Sequence, residues 1–125
     1  MTDRRLAQTM SAALLAMGTL HFVAPKPFDA IVPRELPASP RSLTYASGAA
    51  ELAVGAGLAV PRTRRPAAWA AAALFTAVFP ANVNMVRLWW HKPPLYRAIA
   101  LARLPLQIPM IAAAVRIARS PETTR

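Results

Sequence analysis

The sequence contains no cysteine, which excludes disulfides, thiol redox pairs, thiolate metal sites and a cysteine nucleophile. Acids are scarce as well: five Asp and Glu stand against fifteen Lys and Arg. Glycine occurs four times and histidine twice. Neither His21 nor His91 has a second histidine or a carboxylate at helical ligand spacing, so no metal site is expected. No complete catalytic set is visible, and the chain is not expected to catalyse a reaction by itself. What the sequence does have is apolar character: 55% of its 125 residues are hydrophobic, more than a soluble domain of this length needs.

Polar residues are segregated rather than interleaved, leaving four apolar stretches of bilayer-spanning length at 6–24, 43–60, 67–86 and 95–118. The first three lack the polar face that a soluble amphipathic helix would show at the 3.6-residue period. The expected fold class is therefore all-α, an integral membrane four-helix bundle forming a single domain over 1–125.

The net charge of +10 could indicate nucleic acid in a soluble protein, but no basic groove interleaved with aromatics is present, and no nucleic acid partner is expected. The bilayer explains the cations better, because they cluster at the ends of the apolar stretches. Threading the chain through four spans puts Arg4, Arg5, Arg62, Arg64, Arg65, Arg116, Arg119 and Arg125 on one side. Lys26, Arg34, Arg41, Arg87, Lys92 and Arg97 fall on the other, with Asp29 and Glu35. The imbalance places both termini in the cytoplasm, with "PRTRRP" (61–66) as the most compact cytoplasmic signal. The start "MTDRR" before an apolar run looks like a signal peptide, yet the bulky Phe22 before the candidate cut at "HFVAPK" argues against cleavage.

Five prolines in the loop 25–42 forbid one continuous helix there. Phe28, Ile31, Val32 and Leu36 nonetheless let the loop lie at the interface or cover the outer mouth of the bundle. Trp89, Trp90 and Tyr96 form part of an interfacial aromatic belt. The tail 120–125 reads as a short disordered end.

The polar residues within the spans fall at one level. Glu51 and Arg103 each lie eight residues from the outer start of their span, about 12 Å deep at roughly 1.5 Å per residue. An acid and a base at matched depth are expected to pair. His21, Asn82, Asn84 and Ser47 share the outer half, and Gln107 lies one turn beyond Arg103, so all four spans contribute. Two roles fit. The cluster could be a satisfied network that fixes helix register, or it could line a pocket for a polar head group such as a quinone ring or a lipid phosphate. Pro80, Pro105 and Pro109 free carbonyls near Thr76, Leu101 and Pro105. Asn82 and Gln107 could satisfy these. Small residues at Gly48, Ala53, Gly55 and Gly57 imply close contact with a neighbouring helix, inside the bundle or across a dimer.

In "HFVAPKPFDAIVPRELP" (21–37), "SGAAELAVGAGLAVPRTRR" (47–65), "AVFPANVNM" (77–85) and "RLPLQIP" (103–109) the sequence resembles the DoxX-like family of small bacterial membrane proteins. The resemblance implies a four-helix protein of the cytoplasmic membrane and little about activity. That family takes its name from a subunit of a thiosulfate:quinone oxidoreductase, and some relatives are linked to membrane redox complexes. Without cysteine, a redox role here would need a partner subunit or a bound quinone. The expected function is non-catalytic binding of a lipid-like or quinone-like molecule, or of a partner subunit or second copy, through the outer-half cluster. The alternatives are a membrane subunit of a quinone-linked redox complex and a small proton-coupled transporter titrating Glu51.

Overall fold

The computed structural model describes residues 2–121, and these are helical with no strand among them. Six helices occur in order: α1 (Asp3–Val23), α2 (Lys26–Ile31), α3 (Pro40–Ala59), α4 (Arg64–Ala77), α5 (Phe79–Trp89) and α6 (Pro94–Arg119). Arg125 and most of the tail expected to be disordered lie outside the described residues. Within that tail Ser120 is buried, and its amide donates to the Ile117 carbonyl.

The four expected helices are thus six, for two reasons. Pro80 supplies no amide to the turn before it, so the third apolar stretch ends as α4 at Ala77 and restarts as α5 with the proline in its first turn. In the 25–42 loop, Pro25 and Pro27 sit where a helix tolerates them, at its start, and α2 forms there. Two helices also begin earlier than their apolar runs because they are capped. Thr2 accepts the Arg5 amide at 3.2 Å, and Ser39 accepts the Ser42 amide at 3.2 Å with Pro40 following it.

The long helices pack in a ring: α3 lies against α1 and α4, and α6 lies against α4, α5 and, more lightly, α1. α3 and α6 therefore stand on one diagonal. The α1/α3 contact is the most extensive between helices and is close. A Cβ added to Gly48 would come 2.7 Å from His21 Cβ, and the Gly55 carbonyl accepts the Ser11 hydroxyl at 2.6 Å. Such an approach requires residues without side chains. Gly57 instead faces α4, where an added Cβ would meet Ala67.

The two ends of the bundle differ. At the basic end, Ala7, Leu14, Leu58, Ala68, Ala71, Phe75, Ala114, Ile117 and Ala118 form a core of mostly small side chains. Thr63 Oγ1 donates to the Gly57 carbonyl at 2.8 Å, and Arg64 Nε donates to the Leu58 carbonyl at 2.6 Å, so "PRTRRP" caps the last turn of α3. Arg116 Nε donates to Asp3 at 2.5 Å, bringing the start of α1 to the end of α6. The opposite end carries α2 and the loop after it.

Large apolar side chains lie outside. Val23, Leu95 and Ile108 are 75%, 69% and 71% exposed, while Ser11, His21, Thr44, Glu51, Asn82, Asn84 and Gln107 are buried. That is the reverse of a water-soluble domain. Three segments, Asp3–Val23, Arg64–Trp89 and Pro94–Arg119, are long and apolar enough to cross a membrane. Within the bounds of α3, 20 residues long, Ser, Thr, Tyr and Glu interrupt the apolar run, and it is not among these three.

Candidate functional site in the cap-end half of the bundle

Ring order divides the expected polar cluster into two parts. Glu51 faces α1, where its carboxylate lies 3.4 Å from His21 Nδ1. Arg103 faces α5, where its Nε donates to Asn82 Oδ1 at 3.3 Å. The expected Glu51–Arg103 ion pair is not formed. Matched depth puts two residues at the same level but not on facing sides, and α3 and α6 do not adjoin. Arg103 also differs from expectation in being exposed on the flank of α6 rather than enclosed.

The first part is built from α1, α2 and α3. His21 Nδ1 lies 2.8 Å from the Met17 carbonyl, one turn back on α1, and 3.4 Å from Glu51. Its ring stacks on Phe28 of α2, with centroids 3.8 Å apart. Glu51 Oε2 is buried without a hydrogen bond. Ser47, one turn outward, is half-buried and makes no side-chain hydrogen bond among the described residues.

α2 and the loop after it cover this pair and are held on three sides. Arg41 Nε donates to Asp29 at 2.7 Å, Asn84 Nδ2 donates to the Ile31 carbonyl at 3.0 Å, and Arg87 donates to Glu35 at 3.3 Å. Asp29 Oδ1 and the Thr44 hydroxyl are buried without a well-aligned bond to a partner. The nearness of Thr44 first, and of Arg41 after it, still outweighs burial and holds the Asp29 carboxyl below its ordinary range. Glu35 is held low mainly by its own backbone amide, then by Arg87.

The second part lies where α4 gives way to α5. Gln107 Nε2 donates to the Phe75 carbonyl at 2.7 Å, in the last turn of α4, whose carbonyls lack helical amides. Gln107 thus serves a carbonyl at the proline break, one residue before the position expected from Pro80. Its other polar atom, Oε1, is buried and has no partner. A groove of about 210 Å³ opens beside it between Thr76 and Phe79 on one side and Leu104, Ile108 and Ile111 on the other. Arg103 lies one turn from Gln107 along α6, and Asn82 one turn from Phe79 along α5, both toward the cap end.

The polar side chains were visible in the sequence, and covering the bundle's end was one of two roles open to the loop. Sequence reasoning did not find Phe28 as the partner of His21, the Met17 and Phe75 carbonyls, or the groove wall. Backbone acceptors carry no residue signature, and Thr76, Phe79 and Leu104 look like any lipid-facing residues until the break at Val78 parts the helices.

The sequence profile of the family described as Domain of unknown function (DUF8561) matches residues 10–118, and the chain belongs to that family. No curated protein matches the chain, and no solved structure does.

Proposed function

As a member of that family, the chain is, we propose, a multi-pass protein of the bacterial cytoplasmic membrane that holds a lipid-like or quinone-like molecule. It acts without catalysing a reaction by itself, alone or beside a partner subunit. Both termini lie in the cytoplasm in this reading, at the basic end. The apolar exterior and the three long apolar helices support the membrane setting. The observation that carries the binding role is Gln107, which lines an apolar groove reaching the exterior and whose Oε1 is a buried acceptor without a donor. A buried polar atom left unpaired is costly, and a ligand that donates to it removes the cost.

Kinship with the DoxX-like proteins belongs to this proposal. It is supported by the fact that the sequence blocks resembling that family supply His21, Glu51, Asn82, Arg103 and Gln107. Through that kinship, service as the membrane subunit of a quinone-linked redox complex is the second reading. A proton-coupled transporter is a third, favoured by Glu51 Oε2, which sits unpaired beside His21 beneath the cap.

The test is native mass spectrometry of protein purified in a mild detergent. The expected result is one bound apolar molecule per chain, depleted in Gln107→Leu. Protein that emerges with nothing bound under conditions that keep it folded, and that takes up no added lipid or quinone, refutes the binding role.

A further inference from the structure

We infer that the groove beside α6 takes an anionic, single-chain amphiphile with a hydrogen-bond donor close to its head group, an inference that rests on the binding role just proposed and narrows it. Charge comes first. Arg103 sits nine residues into α6, about 14 Å along the axis at roughly 1.5 Å per residue, among exposed Leu101, Leu106 and Ile108. Only its Nε is engaged, by the uncharged Asn82. Among the described residues no carboxylate stands near it: Asp3 pairs with Arg116, Asp29 with Arg41 and Glu35 with Arg87, while Glu51 lies beside His21 on the α1 side of α3. A guanidinium in an apolar shell requires an anion, and the described part of the chain supplies none there.

The orientation of Gln107 adds a second requirement. The Phe75 carbonyl can only accept, so the amide nitrogen must point to it and the buried oxygen is the atom left without a partner. The residue is 6% exposed. Its oxygen calls for an N–H or O–H from whatever enters. Arg103 and Gln107, one turn apart on α6, therefore ask for an anion and, just below it, a donor.

The third is the groove itself. Its walls are almost wholly apolar, and about 210 Å³ is below the roughly 300–1,000 Å³ of ordinary small-molecule pockets. That space takes only part of one hydrocarbon chain, whose remainder would lie along the lipid-facing surface. A quinone offers only acceptors and no charge: it could meet Arg103 but would leave Gln107 unpaired. A quinol has donors but no charge.

Oleoyl lysophosphatidate, with a phosphate, a free hydroxyl beside it and one chain, is the probe. Its comparators are oleyl phosphate without the hydroxyl, 1-oleoylglycerol without the charge, decylubiquinone and inorganic phosphate. Affinities would be measured by native mass spectrometry titration on the full chain. Oleoyl lysophosphatidate should bind at least tenfold more tightly than 1-oleoylglycerol and severalfold more tightly than oleyl phosphate. Arg103→Met should bring it down to the level of 1-oleoylglycerol, Arg103→Lys should retain part of the preference, and Gln107→Leu should erase the difference between the two phosphates. Should a groove variant fail to fold, Ile108→Trp, placed at an exposed position, should still block the groove and lower every amphiphile's affinity. Tight decylubiquinone binding indifferent to Arg103 overturns the anionic assignment while sparing the wider binding role. Inorganic phosphate binding as well as the lipid overturns the chain's part in it. No binding of any apolar probe overturns both.

Discussion

At position 51 the carboxylate meets a histidine on α1 rather than an arginine on α6, and this changes what substitution there should do. His21 and Glu51 share one buried contact, so a double-mutant cycle between Glu51→Gln and His21→Phe should show coupling of about 0.5–3 kcal/mol in thermal unfolding in detergent. Glu51→Gln and Arg103→Met, on helices that do not adjoin, should add within about 0.5 kcal/mol. Strong coupling in the second cycle would restore the pairing expected from depth. The level of the polar residues was legible because helical rise is fixed and an apolar run has visible ends. Their partners were not, because side-by-side order depends on packing. That order follows from Gly18, Gly48 and Gly55 bringing α1 against α3, and small residues in a sequence announce a close contact without naming the helix that makes it.

Among the elements, α2 is the one whose attachment should respond to acid. Asp29 and Glu35 both titrate below their ordinary values in the folded chain. The attachment they provide is therefore complete above the ordinary carboxylate pKa of about 4 and is lost as pH falls through the lowered values. Hydrogen exchange of the backbone amides in 25–37 should be unchanged between about pH 7 and pH 5, once corrected for intrinsic rates, and should accelerate below about pH 4. Asp29→Asn should loosen the same amides at neutral pH. Tighter protection on acidification would contradict the assignment. Ser39 and Pro40 signal the start of α3 as plainly as any cap can, and the proline break at α4/α5 is equally visible at Pro80. The small helix α2 was hidden by the prolines around it, which end long helices but suit the first turn of a short one.

For the whole molecule, the distribution of polarity runs outward from polar to apolar over the cap-end half. The basic end carries Arg4, Arg5, Arg62, Arg64, Arg65, Arg116 and Arg119 with Asp3 as the acid among the described residues there. This much followed from the sequence, since hydropathy and the positions of cations survive any rearrangement of helix order. The weak member is α3, which carries a carboxylate, Glu51, in the middle of its apolar run and is not among the three segments long and apolar enough to cross a membrane. Two of its polar residues are turned inward: Thr44 and Glu51 are buried, and Gly48 and Gly55 lie against α1. In the membrane reading this has a consequence for biogenesis. α3 should leave the translocon poorly by itself and partition into lipid efficiently only with α1 already present to shield Glu51. In a glycosylation-reporter assay, α3 alone should insert in a minority of chains, α1 through α3 in most, and Glu51→Leu should rescue α3 alone. Efficient insertion of the isolated wild-type segment would contradict this. The glycines that let α1 and α3 touch would then serve the nascent chain before they serve the finished bundle, making the α1–α3 hairpin the smallest unit that the bilayer accepts.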